Sequence, residues 1–162
     1  MAESVILTLA DEAATTRVAA VLDARLRPGD AVLLAGPVGA GKTALARAVL
    51  TARMARAGIV EDVPSPTFTL VQTYDFPDGQ VWHADLYRLS APDEVYELGL
   101  EEAFGSHVCL VEWPDRLGPL IPENGLTITL VPTQDDRRML SLEWTAPRWN
   151  SVVEAIQDAG SE

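Results

Sequence analysis

Apolar positions along the chain fall into short runs and helically spaced stretches that take turns from one end to the other. Val5 to Leu9 is a brief β-rich run. Asp11 follows, placed to cap a helix that carries Ala14, Val18, Leu22 and Leu26 at helical spacing, and Pro28-Gly29-Asp30 ends it. Ala31 to Ala35 is continuously apolar, the mark of a strand covered on both faces. From Lys42 to about Ala57 the chain is rich in Ala, Leu and Arg, with Leu45, Val49 and Leu50 on one face and Gly58 as its C-terminal stop.

Thr69 to Tyr74 and Val81 to Leu86 predict two more strands, joined through Asp75 to Gln80, whose Pro and Gly suit a hairpin turn. The prolines of Val63-Pro64-Ser65-Pro66-Thr67 exclude a helix before them. Ser90 to Glu94 opens a short helix through Leu98, with Ser90 as cap and Pro92 tolerated in the first turn; a second short helix is expected around Glu101 to Phe104. Val108 to Glu112 is another buried strand, stopped by Pro114. Leu126 to Val131 and Met139 to Thr145 predict late strands, and Trp149 to Asp158 a terminal helix. There is no internal repeat. These elements predict an α/β fold in one domain over residues 1–162, with a mostly parallel central sheet, flanking helices and antiparallel additions.

Composition narrows the classes of function. A chain of 162 residues buries about two thirds of the surface its unfolded form exposes, so one core suffices. No apolar run approaches the roughly 20 residues that span a bilayer, which predicts that no membrane is involved. The N-terminal residues show no basic segment leading into a long apolar one, and the single cysteine, Cys109, lies in an apolar run as a core residue, so a cytoplasmic address is expected. A net charge of −12 argues against a broad grip on nucleic acid, which depends on basic residues meeting phosphates. It suits a basic protein partner, or solubility alone. The basic residues are eleven arginines and one lysine, Lys42, so the one compact ammonium marks a position where a planar guanidinium does not serve.

That lysine lies in Gly36-Pro-Val-Gly-Ala-Gly41-Lys42-Thr43, which fits the P-loop pattern G-x-x-x-x-G-K-S/T between an expected strand and an expected helix, so the α/β domain is expected to be a single P-loop NTPase domain. In such a loop the glycines let backbone N–H groups turn inward around phosphate oxygens, and the helix aims its N-terminal N–H groups at the same anion. Gly36, Val38, Gly39, Ala40, Gly41, Lys42 and Thr43 are therefore the candidate nucleotide-binding residues. Lys42 would reach the β and γ phosphates, and the Thr43 hydroxyl would take a position on Mg2+. A carboxylate at the end of a buried strand is also needed. Glu112 and Asp85 are the candidates, Glu112 favoured by its cleaner apolar strand. Guanine reading of the common N-K-x-D type would require a second lysine, which leaves ATP as the expected nucleotide.

Four segments then bear a resemblance to a known family: the cradle itself, Ser65-Pro-Thr-Phe68 continuing to Val71, His83-Ala-Asp-Leu-Tyr-Arg-Leu89, and Leu110-Val-Glu-Trp-Pro114. In order and spacing they resemble the TsaE (YjeE) proteins, the ATPase component of bacterial tRNA threonylcarbamoyladenosine synthesis. The resemblance implies that Thr43 and Glu112 hold Mg2+, that Ser65 to Thr67 act as a switch loop sensing the γ phosphate, and that Asp85 sits near the metal or the attacking water. Lys42, Asp85, Glu112 and Thr67 are the catalytic set it implies. Its implied partners are the synthase proteins TsaD and TsaB, with tRNA held only indirectly. His83, Tyr87 and Arg88 belong to the same signature, with packing or ion-pair roles equally open to them. Trp113 either lines the nucleotide pocket or packs. Pro37, Val38 and Ala84 depart from the residues common in the family, and the chain after Arg116 follows it loosely.

Two other functions use the same cradle. A small-molecule kinase would need a lid bearing arginines, and the only adjacent pair, Arg137-Arg138, has no evident lid around it. A nucleotide-sensing interaction module would need the switch loop but not hydrolysis.

Overall fold

The computed structural model describes residues 2–59, 70–89, 91, 93–133, 135 and 137–160. Among them, seven strands form one sheet in the order β1-β7-β6-β2-β5-β4-β3. They are β1 (Glu3–Leu9), β2 (Ala31–Ala35), β3 (Val71–Phe76), β4 (Gly79–Asp85), β5 (Val108–Glu112), β6 (Leu126–Pro132) and β7 (Arg138–Trp144). The central strands β6, β2, β5 and β4 run parallel, while β7, β1 and β3 join antiparallel, as the α/β reading expects.

Alternation along the buried strands sorts the core into two layers. Val32, Leu34 and Leu110 face the helices α1 (Glu12–Arg25), α2 (Lys42–Ala57) and α5 (Trp149–Gly160), packing with Leu22, Leu45, Leu50, Trp149 and Ile156. Ala31, Leu33, Cys109 and Val111 face the other way, onto Val95 of α3 (Glu94–Leu98), Leu100 of α4 (Leu100–Ser106) and Leu117. A continuous apolar run is thus the sequence of a strand that needs cover on both sides.

The helix boundaries follow local chemistry. Asp11 Oδ1 accepts the Ala14 N–H at 2.9 Å and starts α1, and Gly58, at φ 73°, ends α2 in the left-handed conformation that glycine adopts without strain. Asp23, fully buried on α1, accepts from Arg53 Nε of α2 at 2.7 Å and also pairs with Arg56, locking the two helices together.

Two details differ from expectation. The β3–β4 hairpin is tighter, for Asp75, Phe76, Gly79 and Gln80 all pair and only Pro77-Asp78 turns. Pro114 does end β5, but the chain winds on over Pro114–Leu120 in 3₁₀ turns broken at Gly118, whose φ of 56° and ψ of −126° are not helical. Ser90 and Pro92, expected at the start of α3, lie outside the described residues; its N-cap is Asp93, without a side-chain cap.

Candidate functional site

The cradle lies where β2 ends and α2 begins. Gly36 has φ 130°, and a Cβ there would come 2.3 Å from the Leu130 carbonyl oxygen, so only glycine lets the loop lie against β6. Gly39 at φ 81° and Gly41 at φ 105° turn the loop back into the helix. Gly41 caps α2 with no side chain, which leaves the first-turn N–H groups facing outward with the positive end of the helix dipole.

Lys42 Nζ bends back over this loop, donating to Gly36 O at 2.6 Å and Pro37 O at 2.8 Å, and lies 4.1 Å from the centre of the Trp113 ring. Burial lowers its pKa from the ordinary 10.5, with Glu112 and Asp85 acting in the opposite direction. A polyanion in the cradle would supply the charge compensation that this buried ammonium otherwise draws from carbonyl dipoles and two acids.

Those acids come from neighbouring parallel strands. The register of β4 on β5 sets Asp85 beside Glu112, both at carboxyl ends and both buried. Glu112 Oε1 accepts the Thr43 hydroxyl at 2.6 Å, and its Oε2 meets His83 Nε2 at 2.7 Å. Asp85 Oδ1 accepts the Tyr87 N–H at 3.1 Å. Thr43 and Glu112 present two hard oxygen donors to one point beside the cradle, a set that fits Mg2+. Among the described residues no cluster of three or more His, Cys, Asp or Glu could hold a metal alone, so an ion here would draw the rest of its shell from phosphate and water.

The acids and the loop enclose a cleft of about 330 Å³ lined by Val38, Gly39, Gly41, Lys42, Thr43, Ala44, Asp85, Tyr87, Glu112 and Trp113. Most of the candidate residues therefore meet in one place. Gly36 and Ala40 do not line it: Gly36 backs onto β6, while the Ala40 N–H closes a turn on Pro37 O at 3.1 Å and its methyl is buried in the core. Thr67 and the rest of the expected switch segment lie outside the described residues. Tyr87 is no core aromatic but half-exposed at the cleft, its ring 4.9 Å from that of Trp113; Arg88 is exposed away from the lining. Trp113 itself adopts φ 60°, ψ 54°, a conformation a bulky side chain rarely takes and one that recurs at functional sites. It turns the chain out of β5 with the ring laid over Lys42.

Arg138 was not legible as part of this region. It opens β7, two strands from β2, yet its guanidinium lies so close to the loop that a Cβ at Gly41 would be 2.8 Å from it. It also lines a second cavity, of about 580 Å³, between α1 and α2 with Thr15, Ala44 and Arg47. No motif around Arg138 could have signalled this, since the contact depends on the order of strands in the sheet.

Known proteins match the chain over nearly all of this architecture. The profile of the family described as "Threonylcarbamoyl adenosine biosynthesis protein TsaE" covers residues 9–140. A curated tRNA threonylcarbamoyladenosine biosynthesis protein TsaE from Rickettsia bellii is 38% identical over 134 residues, 83% of this chain and 91% of that one. Its counterpart from Bacillus subtilis is 34% identical over 143 residues, 88% of this chain and 87% of that one. The crystal structure of Bacillus subtilis YdiB superposes with a TM-score of 0.74 at 27% identity, covering 98% of this chain and 97% of that one. With the cradle, the paired acids and these likenesses in agreement, the chain belongs to the TsaE family of tRNA threonylcarbamoyladenosine biosynthesis proteins.

Proposed function

We propose that the chain binds ATP with Mg2+ in this cleft and hydrolyses it slowly, in support of the cytoplasmic synthase that makes threonylcarbamoyladenosine on tRNA. The observation that carries the reading is the meeting of Lys42, Thr43 and Glu112 at one helix N-terminus, with Thr43 Oγ1 2.6 Å from the Glu112 carboxylate. Thr43 and Glu112 would hold the ion. When bound, Mg2+ supplies charge neutralisation on the β and γ phosphates.

The protein's own groups divide the remaining work. Backbone N–H groups of Gly39, Gly41, Lys42 and Thr43 receive the phosphates, and Lys42 exchanges its two carbonyl partners for phosphate oxygens, where charge develops as the γ phosphoryl departs. Asp85 and Glu112 both line the cleft, and one of these two acids orders the attacking water. Water adds to the γ phosphorus, the bond to the β-γ bridging oxygen breaks, and ADP and inorganic phosphate leave. Phosphate release without any acceptor distinguishes this from a kinase.

Sites of this kind are slow until a further cation reaches the transition state. The acidic chain would take that help from the synthase proteins TsaD and TsaB, leaving tRNA to them. Turnover measured with and without TsaD and TsaB tests this: the account expects strong stimulation, and an isolated protein already running at tens of turnovers per second contradicts it.

A further inference from the structure

His83 is the buried polar residue whose presence packing does not explain. It lies on β4 paired with Leu110 of β5, two register positions before the Asp85–Glu112 pair, with no exposed surface. Its Nε2 meets Glu112 Oε2 at 2.7 Å, and its Nδ1 has no hydrogen-bond partner among the described residues. A histidine kept only to fill space would be a poor choice here, because a ring of carbon atoms fills the same volume without a buried unpaired nitrogen. Among the described residues its polar contact goes to the carboxylate that also meets Thr43.

We propose that His83 is a positioning residue for the divalent ion: by donating Nε2–H to Glu112 Oε2 it fixes the rotation of the carboxylate, so that Oε1 stays turned to Thr43 Oγ1 and the cleft. The inference rests on the reading of Thr43 and Glu112 given above. A Glu side chain has a freely turning terminal torsion, and with one oxygen tied to a donor the other is held in a single direction. Groups that orient a metal ligand in this way typically change metal affinity 10- to 100-fold when removed, without touching the ion. Neither the nucleotide loop nor Lys42 contacts His83 among the described hydrogen bonds, so its removal acts on the ion and leaves metal-free nucleotide binding alone.

The test titrates Mn2+ into the full chain with a nonhydrolysable ATP analogue, read by electron paramagnetic resonance, beside calorimetry of the same analogue in EDTA. In His83→Phe the Mn2+ concentration for half-saturation is expected to rise roughly 10- to 100-fold, with affinity in EDTA unchanged. His83→Gln, which carries an N–H at the same reach, is expected to recover most of the loss. A His83→Phe protein that takes up Mn2+ at the wild-type concentration, or that loses nucleotide equally in EDTA, overturns the proposal. Should His83→Phe not fold, His83→Gln and His83→Asn make the same comparison: tighter Mn2+ binding by Gln supports the proposal, and equal binding overturns it. A wild-type protein indifferent to Mn2+ overturns the reading of the site itself, whereas a responsive wild type beside an unaltered His83→Phe overturns the role of His83 alone.

Discussion

Cys109 and Glu112 share the fully buried strand β5, yet only Glu112 is surrounded by groups that can meet a charge. Around the Cys109 thiol there is apolar core and a weak contact to His107 O at 3.8 Å, so burial pushes its pKa from 9.0 up to about 12. In the unfolded chain the thiol ionises from 9.0 upward, while the folded chain keeps its proton. The stability contribution is therefore whole below pH 9.0 and is lost as pH rises toward about 12. Urea unfolding across this range should show a decline that is shallower in Cys109→Ala, and the native thiol should resist alkylation near neutral pH. What the sequence conveyed at this scale was residue type in a run: Cys109 as core, Glu112 as a strand-end acid. It could not convey that His83 and Glu112 touch, because that depends on the register of β4 against β5.

Between elements, the same limit appears as the difference between period and pairing. The spacing of apolar residues marked out α2 and β5 at the bounds they adopt, since each is fixed by its own glycine, proline or cap. The hairpin was read too loosely because strand pairing draws Asp75 and Gln80 into the ladder in spite of their polarity. Nor did the sequence suggest that Asp23 is the joint between α1 and α2, for an acid on a helix usually faces water. With Arg53 buried beside it and Arg56 closing the other side, Asp23→Ala would leave the buried Arg53 guanidinium facing only the exposed Asp78 carboxylate, 4.0 Å away, among the described acids. Breaking such a buried pair from one side costs about 3–5 kcal/mol, measurable as a lower urea midpoint with an unchanged slope. The expected change in the cleft is indirect, through the seating of α2.

At the scale of the whole molecule, the sheet order decides what the site contains. β2 delivers the cradle, β5 and β4 bring the acids from one side, and β6 and β7 bring Leu130 and Arg138 from the other. The crevice beyond the carboxyl ends of parallel strands is where an open α/β sheet gathers its ligands, and the apolar runs are enough to place Asp85 and Glu112 at two of those ends. The Arg138 side was hidden because β7 reaches the loop only through the antiparallel addition to the sheet. All of the chemistry proposed here requires one event, the entry of a nucleoside triphosphate against Lys42. Calorimetric titration of ATP into wild type and Lys42→Ala, each with Mg2+ and each with EDTA, tests it most directly. The account predicts saturable uptake at one site, tightened by Mg2+, and weakened roughly 10- to 100-fold in Lys42→Ala by the loss of charge-assisted hydrogen bonds. Folded wild-type protein that takes up no ATP with Mg2+ present, or a Lys42→Ala variant that binds as tightly as wild type, would contradict it.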